Sequence, residues 1–343
     1  MNCPHCGVPV EEEGSKFCGD CGGSLEAPSA NATTDGGQDK AAVNPLLRCP
    51  ECGAGPGAIA DDGFCSCGTL RRKPLRDHME VIVTPRFAGV SDIGKKHHQN
   101  EDFIALAQAR DGAHVMVVCD GVSQSQSPQE GSKIGAETAC ALVVAQLAAT
   151  NGNSKEIVRD AIIAAQAAIC TVPFHPGLKD KKDRDIDPAQ STIVLVLVQD
   201  RKVTLGWAGD SRGYWQSKSG VIQITRDDSW ADEQVAAGKM TMEEAMKCPE
   251  AHAITNSLGA AADGSNPGIH PTVVTMNLTE PGRLILCSDG FWNYAEDPAV
   301  IAKLVAQQPA GTDALTLARA LVNYARDTTN GGKDNISVIV RDC

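Results

Sequence analysis

Residues 191–216 read STIVLVLVQDRKVTLGWAGDSRGYWQ, and their pattern decides the fold class. Three β-type runs, at 191–198, 203–208 and 213–216, follow one another with only turn-length spacers and no helix between them. From Thr192 to Val198 both sets of alternate positions are apolar. That is the pattern of a strand packed between another sheet and helices. Carried outward, the same reading puts strands near 81–83, 87–91, 103–107, 114–119, 221–224, 271–276, 283–287 and 336–341. It puts helices near 130–149, 154–171, 230–236, 241–246, 297–307 and 312–326. Strands that so often succeed each other directly disfavour a doubly wound parallel sheet and favour a layered α+β domain with two mainly antiparallel sheets.

Four aspartates stand at the edges of these runs. Asp120 follows the run 114–119, Asp210 follows 203–209, Asp289 follows 284–288, and Asp334 precedes 336–340. Carboxylates are expensive to bury, so several at strand ends normally surround a hard cation or solvent. One such Asp is explained by turn and cap preference alone. Here Asp120-Gly121, Asp289-Gly290 and Asp334-Asn335 recur, joined by Asn100-Glu101-Asp102 just before the apolar run that opens at Phe103. Oxygen-only ligands favour Mg²⁺ or Mn²⁺ over zinc, and two such ions together activate water and neutralise a phosphoryl group. The arrangement points to a hydrolase.

With 343 residues, 42% hydrophobic and 22% charged, the chain accommodates one large domain plus small appendages. A formal net charge of -12 disfavours non-specific attraction to nucleic acid or anionic lipid. No run approaches the roughly 20 apolar residues of a membrane helix. The start, Met1-Asn2-Cys3-Pro4-His5, lacks a signal-peptide pattern, so the expectation is a soluble, cytoplasmic protein without a membrane partner. Of 14 cysteines, eight precede residue 70 in tight pairs. Cys119, Cys140, Cys170, Cys248, Cys287 and Cys343 are scattered, mostly in apolar settings where free cysteine behaves as a small core residue.

Cys3 and Cys6, then Cys18 and Cys21, form two knuckles with Gly7 and Gly22 behind them. Four thiolates on tight turns suit tetrahedral zinc, and residues 1–26 are expected to form a zinc ribbon. Two disulfides or a redox pair are the competing readings. Cys49, Cys52, Cys65 and Cys67 outline a second, atypical ribbon over 48–72, whose last knuckle has one intervening residue where two are usual. One or two structural zinc ions are therefore expected. Residues 27–47 lack large apolar side chains through most of their length and read as a flexible linker. The basic stretch from Leu70 to Met79 reads as a solvated connector to a large domain over 80–343.

That domain carries an ordered series: Ser91-Asp92-Ile93-Gly94 with Asn100-Glu101-Asp102, then Val118-Cys119-Asp120-Gly121-Val122-Ser123, Ala208-Gly209-Asp210-Ser211-Arg212-Gly213, Cys287-Ser288-Asp289-Gly290-Phe291-Trp292, and Lys333-Asp334-Asn335-Ile336-Ser337-Val338. The series resembles that of the metal-dependent, type 2C Ser/Thr protein phosphatases. The resemblance implies a four-layer α-β-β-α sandwich and hydrolysis of phosphoserine and phosphothreonine in proteins. It implies that Glu101, Asp120 and the Gly121 carbonyl hold one Mn²⁺ or Mg²⁺, and that Asp120, Asp289 and Asp334 hold a second. Asp210 corresponds to the ligand for a weaker third ion. Asp102 would orient metal-bound water, and a bridging water or hydroxide would attack phosphorus directly, with no phosphoenzyme. Phosphoproteins, with a Ser/Thr kinase or its substrates, are the implied partners, and the ribbons would dock or regulate. Residues Thr225 to Gly259 resemble the flap beside the active site in this family.

The chain departs from the pattern twice. Many members carry a phosphate-clamping Arg four residues before the motif Glu; this chain has His97 there, between Lys95-Lys96 and His98. Histidine donates one hydrogen bond where arginine offers a fork, so the expectation is substrate binding that is weaker or pH-dependent. A surface-loop histidine is the alternative. The loop from Asp120 to Ser125 also lacks the His or Gly pair that some relatives place after Asp-Gly. A cysteine phosphatase is disfavoured, because the one Cys-x5-Arg spacing, Cys65 to Arg71, falls inside the second ribbon. Residues 1–78 hold seven Lys/Arg against eleven Asp/Glu, which disfavours nucleic acid as their ligand. A catalytically silent signalling protein that keeps the fold is the rival reading.

Overall fold

In the computed structural model, which describes residues 76–149, 152–180, 182–261 and 263–343, the decisive stretch splits its side chains between two cores. Strand β6 (Ile193–Gln199) sends Ile193, Leu195 and Leu197 into one and Val194, Val196 and Val198 into the other. Strand β4 (His114–Asp120) does the same, with Val115, Val117 and Cys119 on one side and Met116 and Val118 on the other. Successive strand residues point to opposite faces, so a continuously apolar run specifies a strand buried on both.

These strands lie in a five-stranded antiparallel sheet of order β11-β7-β6-β4-β3, with β3 (Asp102–Gln108), β7 (Lys202–Ala208) and β11 (Thr272–Asn277). The facing sheet is six-stranded and antiparallel. Its members are β1 (His78–Thr84), β2 (Phe87–Asp92), β8 (Arg212–Ser217), β9 (Gly220–Gln223), β12 (Gly282–Cys287) and β13 (Ile336–Asp342), in the order β1-β2-β13-β12-β8-β9. Phe87, Met116, Leu205, Trp215 and Ile339 are among the residues filling the space between the sheets.

Helices α1 (Pro128–Ala149) and α2 (Ser154–Ile169) cover the five-stranded sheet through Ala136, Ala139, Val143, Val158 and Ile162. Helices α6 (Pro298–Ala306) and α7 (Ala314–Asp327), with the single turn α5 (Asp289–Trp292), cover the other through Phe291, Ile301, Leu317 and Leu321. The result is the expected four-layer sandwich. Helices α3 (Trp230–Ala236) and α4 (Met242–Ala245) belong to the segment between β9 and the two-residue strand β10 (Leu258–Gly259), which pairs with β5 (Gln190–Ser191). Sequence periodicity finds every long element and misses α5, β5 and β10, which are too short to express a period.

The chain divides into two units, Met1–Leu75 and Arg76–Cys343. The zinc-ribbon and linker assignments lie outside the described residues. Among the described residues no helix is long and apolar enough to cross a membrane. Cys119, Cys140 and Cys287 are buried free thiols, as their apolar settings suggest.

Candidate metal centre

Antiparallel register gathers the acidic residues at one end of the sandwich. Asp102 opens β3 and lies directly opposite Asp120, which closes β4. Cys287 at the end of β12 pairs with Val338 near the start of β13, so Asp289 and Asp334 emerge side by side from the other sheet. Asp210 follows β7, whose end pairs with the start of β6. Two glycines permit this crowding. A Cβ on Gly121 would come within 2.5 Å of the Pro128 carbonyl oxygen, and one on Gly290 within 1.8 Å of the Asn335 carbonyl oxygen. Side-chain-free residues are therefore required behind Asp120 and Asp289.

The carboxyls feel both burial and one another. Burial, together with Asp334 and Asp289, lifts Asp102 to about 7, against the opposing pull of the Ser288 hydrogen bond. Burial and Asp289 lift Asp210 to about 8. Burial and Asp334 lift Asp289 to about 6, although the neighbouring Asp120 carboxyl and Asn293 pull it down. Asp120 is pushed well above the ordinary carboxylate range by burial and then by Asp102, Asp289, Asp334 and Asp210. Water reaches Asp120 and Asp289 in part, so the desolvation on these two is less than complete. Asp102 Oδ1 and Asp210 Oδ1 are buried with no hydrogen-bond partner.

A group of like charges with orphaned oxygens is a poor arrangement by itself and a good one around a hard cation. Among the described residues no three acidic, imidazole or thiol side chains stand ready-made at coordinating distances. Glu101 turns aside to accept hydrogen bonds from Ser123 Oγ and from Gln99 Nε2 at 3.2 Å. Asp334 Oδ1 accepts from the Asn335 N–H at 2.8 Å and lies 3.2 Å from His97 Nε2. The all-oxygen set and the orphaned atoms fit Mg²⁺ or Mn²⁺. His97 is partly exposed and sits beside this cluster, in contact with Asp334.

Several residues that hold the site together were passed over by sequence reasoning. Ser288 Oγ donates to Asp102 Oδ2 at 2.7 Å and accepts the Ser337 N–H at 3.0 Å; all three residues are buried. Ser337 Oγ bonds Ser91 Oγ at 2.8 Å, and Asn100 Nδ2 donates to the same Ser91 oxygen at 2.8 Å. Asn335 Oδ1 receives the Glu101 N–H at 2.7 Å while its Nδ2 donates to the carbonyls of Ile93 and Gln99. Beneath Asp210, Trp292 Nε1 donates to its carbonyl at 2.8 Å, and the Arg212 guanidinium lies 3.6 Å over the Trp292 ring while pairing with Asp227 at 2.7 Å. Serine and asparagine are common in loops, and only their burial sets these apart. Arg76, from the supposed connector, donates to the Asn100 carbonyl at 2.8 Å and, near the start of α1, to the Gln129 carbonyl and Ser132 Oγ.

Comparison with known proteins agrees with this geometry. Residues 89–324 match the family model described as Protein phosphatase 2C. The serine/threonine protein phosphatase PstP of Mycobacterium tuberculosis is 27% identical over 262 residues, which cover 76% of this chain and 46% of that protein; the chain thus spans about half the length of that relative. The crystal structure of serine/threonine phosphatase Stp1 from Staphylococcus aureus shares the fold, with a TM-score of 0.61 and 23% identity over 78% of this chain and 98% of that one. The catalytic domain of PstP in complex with 2 manganese ions is similar at a TM-score of 0.52 and 25% identity, covering 75% of this chain and 97% of that chain.

Proposed function

The chain belongs to the protein phosphatase 2C family, and from that premise we infer that it hydrolyses phosphoserine and phosphothreonine in proteins with the help of divalent metal ions. One observation carries the reading: Asp102, Asp120, Asp210 and Asp289 converge from both sheets, burial and neighbouring carboxylates raise their affinity for protons, and the Oδ1 atoms of Asp102 and Asp210 are buried without a hydrogen-bond partner, a combination that suits a hard cation. Glu101, Asp120 and the Gly121 carbonyl would hold one ion, Asp120, Asp289 and Asp334 a second, and Asp210 with Asp289 a weaker third. Manganese is the favoured ion, since a related catalytic domain binds two of them. Such ions, when bound, activate water and neutralise the phosphoryl group.

The protein's own part is positional. Asp102 commits Oδ2 to Ser288, so Oδ1 is the atom free to accept a hydrogen bond from the attacking water and hold it in line with phosphorus. His97 donates to the substrate phosphate from its place beside Asp334. Substrates are phosphoproteins, with a Ser/Thr kinase acting on the same proteins. Residues 1–26 and 48–72 bind structural zinc and dock or regulate, in a cytoplasmic setting. Every carboxylate of the site is present, which favours an active enzyme over a silent signalling protein. Phosphate release from a phosphothreonine peptide by the full-length protein, measured with Mn²⁺ and with chelator, tests the reading. Release that ignores the metal, or no release at all, counts against it.

A further inference from the structure

Arg76 opens the larger unit and precedes residues 89–324, which match the family model. Its Nε donates to the Asn100 carbonyl at 2.8 Å, and the Asn100 side-chain amide donates back to the Arg76 carbonyl at 3.0 Å. Its Nη2 donates to the Gln129 carbonyl and, at 3.2 Å, to Ser132 Oγ in the first turns of α1. The guanidinium also lies 5.6 Å over the Phe103 ring and 4.0 Å from Glu130. One planar fork thus ties the Asn100-Glu101-Asp102 loop to α1.

Both tied segments serve the same half of the metal centre. Asn100 immediately precedes Glu101, and its Oδ1 accepts the Asp102 N–H at 3.1 Å. Glu101's carbonyl accepts the Gly121 N–H at 3.2 Å, and Gly121 is wedged against the Pro128 carbonyl at the start of α1. Gln99 reaches both Glu101 and the Gln129 side chain, each at 3.2 Å. Asp289 and Asp334 come from the other sheet, and none of the Arg76 hydrogen bonds goes to them; Ser288 and Asn335, next to them in sequence, bond Asp102 Oδ2 and the Glu101 N–H. We propose that Arg76 is a positioning residue that fixes Glu101 and Gly121 relative to each other, so that it governs the metal position they form with Asp120 and leaves the Asp289–Asp334 position alone. The proposal rests on the metal-centre reading above.

Manganese titration calorimetry on the purified full-length protein tests it. Arg76→Ala should weaken one of two manganese positions by about 10-fold, as loss of a ligand-orienting group does, and leave the other essentially unchanged. Arg76→Lys should show most of the same loss, because a point charge cannot span the Asn100 carbonyl, the Gln129 carbonyl and Ser132 together. If the alanine variant fails to fold, the lysine variant decides. Equal weakening of both positions, unchanged binding, or full rescue by lysine would each overturn the proposal. A wild type that binds two manganese ions yet releases no phosphate overturns the phosphatase reading alone, and one that binds none overturns both.

Discussion

Ser288→Ala removes a single oxygen on which two buried groups depend. Ser288 occupies the position before α5 where a serine hydroxyl normally caps the helix, but it makes no such bond. Its proton goes to Asp102 Oδ2 and its lone pair to the Ser337 N–H, across 186 and 49 residues of sequence. Alanine leaves an acceptor and a donor unsatisfied in a dry interior. Each such loss costs about 1–3 kcal/mol, so mid-range values sum to roughly 4 kcal/mol. For a domain of this size that corresponds to a melting temperature lowered by on the order of 10 °C.

The loss should depend on pH in a defined direction. Ser288 is one of the groups that pull Asp102 down towards about 7, so without it Asp102 holds its proton to higher pH. Hydrogen bonds to an ionised acceptor are roughly twice as strong as neutral ones. The destabilisation should therefore be larger at pH 8 than at pH 6 in metal-free protein, as read by scanning calorimetry, and Ser288→Thr should restore most of it. A loss below about 1 kcal/mol at both pH values would refute the reasoning, because it would mean that Asp102 and Ser337 find other partners at no cost.

Asp120→Asn should abolish Mn²⁺-dependent phosphate release while the circular dichroism spectrum stays that of the wild type; retained turnover would show that Asp120 bridges no metal. In metal-free protein, stability should fall as pH rises from about 4 to about 8, since carboxyls raised to about 6, 7 and 8 contribute stability that is complete below their unfolded values and lost through the folded ones. Mn²⁺ should flatten that slope, and melting curves in EDTA that improve with pH would contradict it. Gly290→Ala must move either its own turn or the Asn335 backbone and should cost about 3 kcal/mol on thermal unfolding; a wild-type melting temperature would show the turn to be pliable. His97→Arg should lower the Michaelis constant for a phosphothreonine peptide by about tenfold through its bidentate fork, whereas identical constants for wild type, His97→Arg and His97→Ala would make His97 a bystander.

The sequence was readable where one residue type repeats under one constraint. Continuously apolar runs such as 193–198 encode strand and burial on both faces together, and the aspartates at the ends of such runs inherit their positions from the strands. What was not readable depends on pairings between distant segments. Ser288, Ser337 and Ser91 are ordinary serines in any local window, and their value appears only when β2, β13 and the end of β12 are set side by side. Arg76 looked like one more charge in a basic connector because its partners, Asn100 and Gln129, lie 24 and 53 residues away.

Those long-range pairings explain why the site needs the whole sandwich. Glu101, Asp120 and Gly121 ride on the five-stranded sheet, Asp289 and Asp334 on the six-stranded one, and Asp120 is the only ligand proposed to serve two principal ions. No local element fixes the distance between the two halves. It is set by the apolar layer between the sheets and by polar ties across it, two of which run from Asp102 to Ser288 and from the Glu101 N–H to Asn335. Both of these end within one residue of a proposed metal ligand. Core packing therefore brings the sheets to the right separation, and the buried serines and asparagines convert that separation into a defined register of carboxylates.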